Sequence, residues 1–200
     1  MELMNRSALS RVAAVTLAIV FAVVTRSPAA AQVSSVSGQA RAVQVSTLGV
    51  TILADTGTLG SSGDARDATL ITANVPSVLS GEVLRAVTVG WPDQIASESS
   101  ISNLTMAVGL TGISADFVMA RARAVLQGPT TATTNIANLY VNGVPVMVTG
   151  IPNQTIAIPG GRLVINEQQT SSAGTTVNAL HATVAGVADV VIASATAGIQ

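Results

Sequence analysis

His181 is the one histidine in the 200-residue chain, and there is no cysteine. Its imidazole could serve as a general base or a metal ligand, because its charge changes near neutral pH. Glu167 could supply a matching carboxylate. It stands in Asn166-Glu167-Gln168-Gln169, the densest polar run of the C-terminal half, directly after the apolar Leu163-Val164-Ile165. As an acid/base pair, Glu167 and His181 would suit a hydrolase, with the neighbouring amides orienting substrate. The competing reading is structural. His181 is then a hydrogen-bonded, partly buried strand residue, in parity with Val177, Ala179 and Thr183. The amides satisfy loop backbone groups at a strand end. The structural reading is the one expected. A lone histidine without HxH or HExxH spacing makes no recognisable zinc site. A Ser-His-Asp triad would need only one histidine, but no G-x-S-x-G elbow occurs.

Other polar groups offer weaker chemistry. Asp55, Asp64 and Asp67 flank a Gly- and Ser-rich loop in which carboxylates and carbonyls could gather round Ca²⁺. The D-x-D-x-D-G spacing is absent. Arg121 and Arg123 alternate on one face and are expected to be solvated or paired with acids. Asn103 and Asn153 each begin a glycosylation sequon, a pattern common by chance. All nine basic residues are Arg, so Lys Schiff bases and the P-loop Lys are excluded. Without cysteine, disulfide scaffolds, thiolate-held metals and thiol nucleophiles are excluded too. A net charge of −1 without a basic run argues against nucleic acid as a partner.

These residues need elements to hold them. Residues 1–31 read as a secretory signal peptide. Arg6 and Arg11 precede the uncharged apolar run Val12–Val24, which is short for a membrane span. Pro28 and Ala29-Ala30-Ala31 then precede an expected cut that leaves Gln32 first. The 169 residues that follow carry six Arg and nine acids. Such a chain buries about two-thirds of its unfolded surface and needs no disulfide. With charged residues at 10% and aromatics at 2%, its core must be aliphatic, and it has few flat rings for binding sugars.

Residues 32–37 read as a lead-in, and one β-rich domain is expected over 38–200. Period-two alternation predicts strands in 39–51, with Gly49 as a bend, and in 68–75, 82–91 and 101–108. Residues 55–67, 92–100 and 171–174 read as loops. Residues 114–125 tolerate a helix, but Asp116, Val118, Ala120, Ala122 and Ala124 alternate as one small, mostly apolar face, so a strand is expected. Asn142-Gly143 supplies the positive φ angles of a two-residue hairpin turn. Further hairpins are expected over 155–166, turning at Pro159-Gly160-Gly161, and over 177–196, turning near Ala185-Gly186. Ile101-Ser102-Asn103-Leu104, Ile136-Ala137-Asn138-Leu139 and Val177-Asn178-Ala179-Leu180 share an apolar–x–x–Leu pattern at unequal spacing. The expected fold is therefore all-β, an antiparallel sandwich or roll of successive hairpins. A parallel β-helix is the alternative.

Leu163-Val164-Ile165-Asn166-Glu167-Gln168, a short loop, then Val177-Asn178-Ala179-Leu180-His181 and Asp189–Ala193 resemble the bacterial choice-of-anchor P family of secreted and surface proteins. Asn138–Gly143 and Pro152-Asn153 fit as well. The resemblance covers roughly residues 38–199. It implies a secreted β-rich domain and brings no activity and no catalytic residues. It suggests structural roles for Asn166, Glu167, Gln168, Asn178, Leu180 and His181. The family usually ends in a C-terminal sorting signal. The terminal Gly198-Ile199-Gln200 contains none, so release is the simpler expectation.

The leading expectation is an exported, non-catalytic β-domain with a structural, adhesive or interaction role at or outside the cell surface. A cell-surface polymer or protein is the kind of partner expected, with no nucleic acid, no membrane span after cleavage, and no cofactor or metal. The alternatives are a secreted hydrolase using His181 and Glu167, and a Ca²⁺-assisted carbohydrate or surface-polymer binder using loop 55–67.

Overall fold

Runs of alternating side chains, punctuated by Gly, Asn and Pro, leave the chain little choice but strands and tight turns. A computed structural model describes residues 35–200, among which there is no helix. The segment read as a signal peptide lies outside the described residues. The strands are β1 (Val36–Ser46), β2 (Val50–Asp55), β3 (Ala65–Val75), β4 (Leu79–Gly90), β5 (Gln94–Val108), β6 (Thr111–Val125), β7 (Thr130–Ala137), β8 (Tyr140–Val141), β9 (Val144–Pro145), β10 (Gln154–Ile158), β11 (Gly161–Ser171), β12 (Gly174–Val184) and β13 (Ala188–Ile199).

All strand pairs are antiparallel, so the parallel β-helix is set aside. The first sheet runs β10-β11-β12-β13-β1-β2. The second runs β3-β4-β5-β6-β8-β9, with β7 also on β6. β13 packs on β5 and β6, β1 on β4 and β5, and β12 on β6 and β7. The two sheets thereby form a sandwich. Its core is aliphatic, with Leu59, Leu84, Ile95, Ile101, Leu180 and Ile192 all fully buried.

Several boundaries differ from expectation. β1 begins at Val36, paired with Ile199, so the lead-in ends before it. Residues 39–51 are not one strand; β1 turns back through Thr47-Leu48-Gly49 into β2. Residues 94–100, expected as loop, are the first half of β5. Their Ser-rich composition misleads because Ser97 and Ser99 are buried with their hydroxyls satisfied. Thr88 Oγ1 donates to Ser97 Oγ at 3.1 Å, and Ser99 Oγ donates across the sandwich to the Ser194 carbonyl at 2.9 Å. Residues 171–174 form a tight turn, with Ser171 paired to Gly174.

Strict alternation fails at one line across each sheet. In the first sheet the ladder skips Asn166, Ala179, Ala193, Ala42 and Ala54, which stand abreast on β11, β12, β13, β1 and β2. Every second one has positive φ: Asn166 53°, Ala193 52° and Ala54 48°. In the second sheet Val83, Asn103 and Asn138 have φ of 47°, 49° and 52°. One residue is consumed at the line, and the inward face changes parity. In β6, Thr111, Ile113 and Ala115 point inward, then Val118, Ala120, Ala122 and Ala124. Asp116, expected on the small face, is therefore exposed. The apolar–x–x–Leu similarity marks this same feature. Asn103 and Asn138 take the positive φ angle, and the following Leu104 and Leu139 are buried. Asn adopts such angles far more readily than other non-glycine residues.

Val83 is β-branched in this region and 58% exposed. Val83→Asn is expected to stabilise the fold by about 0.5–1 kcal/mol, read as a higher urea midpoint, because it relieves strain and gives up little burial. A lower midpoint would contradict that account.

The expected hairpin turns are present. Tyr140 pairs with Pro145 and Val141 with Val144, leaving Asn142 (φ 50°) and Gly143 (φ 76°) as the turn. A Cβ at Gly143 would meet nothing within 4 Å, so only backbone conformation opposes a side chain there. Gly143→Val is expected to cost about 1–2 kcal/mol in a thermal melt. An unchanged melting temperature would contradict the turn's role.

Candidate functional site

β11, β12 and β13 lie side by side and present their outward side chains to solvent. The register sets Glu167 beside Asn178 and Ser194, Val164 beside His181 and Val191, and Arg162 beside Thr183 and Asp189. The break at Ala179 decides which residues share this face. Asn178 and His181 are three residues apart, an odd spacing that would place them on opposite faces of a regular strand. The skipped Ala179 restores them to one face. Val177 and Ala179, expected to share a face with His181, are buried on the other side; Thr183 does share it.

His181 bridges two strands. Its Nδ1 lies 2.8 Å from Glu167 Oε2 and its Nε2 3.1 Å from Asp189 Oδ2, each at hydrogen-bond distance. Asn178 Nδ2 donates to the same Glu167 oxygen at 2.7 Å, and Thr183 Oγ1 lies 3.4 Å from Nε2. The His181 and Glu167 side chains keep 19% and 14% of their surface, and Asp189 keeps 44%. Burial alone would lower the imidazole pKa. The hydrogen bond to Asp189 and the charge and hydrogen bond of Glu167 outweigh it and lift the pKa above the ordinary histidine value.

A general base needs a ring nitrogen with a free lone pair, and a hydroxyl nucleophile would have to donate to it. Here each nitrogen faces a carboxylate oxygen, an arrangement that favours the doubly protonated ring. The Asp189 contact occupies the nitrogen that Thr183 would need. With both nitrogens protonated, the cluster is a cation clamped between two carboxylates. Beyond Thr183 and Asp189, a shallow depression of about 350 Å³ lies between the Ser46-Thr47 end of β1 and the β12–β13 turn.

The other expected residues divide. Asn166 is buried; its Nδ2 donates to the Gly150 carbonyl at 2.9 Å and its Oδ1 accepts from Gln168 Nε2 at 2.9 Å. Gln168 Nε2 also reaches the Ala132 carbonyl on β7 at 3.2 Å, tying the two sheets together. Asn153 accepts from the Gln168 amide and its own N–H donates to the Asn166 carbonyl, both at 2.9 Å. Leu180 is core. The Asn166–Gln168 run therefore serves two places: Glu167 the outer cluster, and its neighbours the loop and the opposite sheet. Asp189 and Thr183 were missed as partners of His181. Counting outward from the Ala185-Gly186 turn would have brought them together.

The loop expected over 55–67 is shorter: Asp55 ends β2 and Asp67 lies in β3, so only Asp64 of the three acids sits in the connection, and they do not gather. Asp55 accepts from Gln39 Nε2, Arg41 and the Gly57 amide. Burial alone would raise its pKa; these donors hold it below the ordinary aspartate value. Asp64 accepts from the Ala65 amide and lies 3.8 Å from Arg66. Among the described residues no three His, Asp or Glu side chains are placed to share a metal ion. Among the same residues no helix is long and apolar enough to cross a membrane.

No family model, curated protein or solved structure matches the chain.

Proposed function

We propose that this chain is an exported, non-catalytic β-sandwich domain with a structural, adhesive or interaction role at or outside the cell surface. The observation that carries the reading is the double occupation of His181. The only histidine of the chain has both nitrogens engaged by carboxylates, which suits an internal brace and leaves no free base. The choice-of-anchor P resemblance of residues 163–193 and the signal-peptide pattern of residues 1–31 support the same reading. A hydrolase built on His181 and Glu167 would need the imidazole to leave Asp189, and nothing in the cluster favours that.

The test is location. Expressed with its own N-terminus in a bacterial host, the protein is expected in the medium or periplasm, beginning at Gln32 by mass spectrometry. Retention in the cytosol with Met1 intact would overturn the proposal.

A further inference from the structure

The second sheet carries a basic depression on its outer face, on the opposite side of the sandwich from His181. Its volume is about 280 Å³. Val87 and Val89 of β4 and Ala96 of β5 form an aliphatic floor. Arg85 on β4, Glu98 on β5, and Arg121 and Arg123 on β6 stand around it. Three of the six arginines among the described residues therefore meet in one place, in a chain whose net charge is negative.

The ion pairs there do not balance. Glu98 is taken by Arg121. Arg123 Nε donates to the neutral amide oxygen of Gln94 at 3.0 Å. Arg85 has no side-chain partner among the described residues. Asp67, opposite Val87 on β3, stands outside the depression. Two guanidinium groups are thus without an acid, at opposite corners of an apolar floor. Arg85 lies in the cross-strand row of Ser100 and Arg123 in the row of Ala96, two strands and two rows away.

The geometry points to this depression as a binding site for an extended acidic peptide segment, with an aliphatic side chain on the floor and carboxylates reaching Arg85 and Arg123. Guanidinium forks match carboxylates and hold them more strongly than neutral donors do. The floor offers aliphatic contact and no aromatic face, which suits a Val or Leu side chain better than a sugar ring. Side chains on one face of an extended peptide repeat about every 7 Å, so two carboxylates flanking one aliphatic side chain on that face stand about 14 Å apart, the order of the span from Arg85 to Arg123 across two rows and two strands. Glu98 guards the site by holding Arg121. The inference stands whether or not the chain is exported.

The test uses the purified full-length chain and a fluorescein-labelled peptide of repeated Glu-Ser-Val-Ser units, which puts Glu and Val on one face of the extended chain, followed by fluorescence anisotropy. Saturable binding is expected, weakening as salt rises from about 20 to about 200 mM. The double variant Arg85→Gln with Arg123→Gln is expected to lose affinity about tenfold or more at an unchanged melting temperature. Glu98→Gln frees Arg121 and is expected to tighten binding about threefold. Unaltered affinity in the double variant would overturn the site, as would equal binding of the matching Lys-Ser-Val-Ser peptide. Tighter binding of polygalacturonate than of the acidic peptide would overturn the ligand class.

Discussion

Glu167→Ala will destabilise this protein by about 2–3 kcal/mol, a fall of about 6–10 °C in melting temperature. One carboxylate oxygen accepts from both His181 and Asn178, and it is largely shielded from water. Its removal leaves a half-buried imidazole and a half-buried amide without their acceptor. The loss depends on pH, and its sign follows from the raised imidazole pKa. A group whose pKa is higher folded than unfolded adds stability that is complete below the unfolded value. That stability disappears as pH rises through the folded value. The wild-type chain is therefore expected to melt higher at about pH 5.5 than at about pH 8.5. His181→Gln should flatten that dependence. Asp55, with its lowered pKa, acts only at more acid pH and leaves this window alone. Differential scanning calorimetry at the two pH values decides the matter. A wild-type melting temperature that is level across the range, or one that rises with pH, would show that His181 is not the brace described.

Gly161→Val is expected to be at least as damaging, by about 3 kcal/mol, through a different cause. Gly161 opens β11 immediately after the Pro159-Gly160 turn and pairs with Val184. A Cβ there would lie 1.8 Å from the Thr183 carbonyl oxygen and 2.9 Å from Val184 Cα. Both obstacles are backbone, so no rotamer change relieves them; β11 and β12 must part. Thr183 and His181 would shift with that movement, so the variant should also lose much of the pH dependence just described. The contrast with Gly143→Val is informative. There only conformation resists, with open space around the Cβ, and the expected cost is smaller. A Gly161→Val protein melting close to wild type would mean that the two strands are not held as close as the register requires.

Much of the fold could be read from local chemistry. The Asn142-Gly143 turn, the Pro159-Gly160 turn and the hairpin about Ala185-Gly186 follow from residues whose backbone preferences act within a few positions. The strand character of residues 114–125 follows from small residues alternating with Met119, Arg121 and Arg123. The structure of residues 94–100 did not follow, because serine looks like loop until its hydroxyl has a partner on another strand. That partner belongs to tertiary structure: Thr88 for Ser97, and the Ser194 backbone for Ser99.

The candidate site divides along the same line. By itself the sequence determined that His181 sits in a strand among aliphatic neighbours, that such a ring needs hydrogen-bonding partners, and that the polar run at Asn166–Gln168, at the end of a neighbouring strand, could supply one. It could not determine which face His181 occupies. Side chains alternate with a period of two, so a single skipped residue exchanges inside for outside along the rest of a strand. Ala179 is that residue, and nothing in its own chemistry announces it; its φ is not even in the positive region. The break exists because Asn166 and Ala193 on the flanking strands take positive φ at the same level, and the line continues through Ala42 to Ala54. Only when the sheet is assembled do Asn178, His181 and Thr183 come to one side, beneath the reach of Glu167 and Asp189.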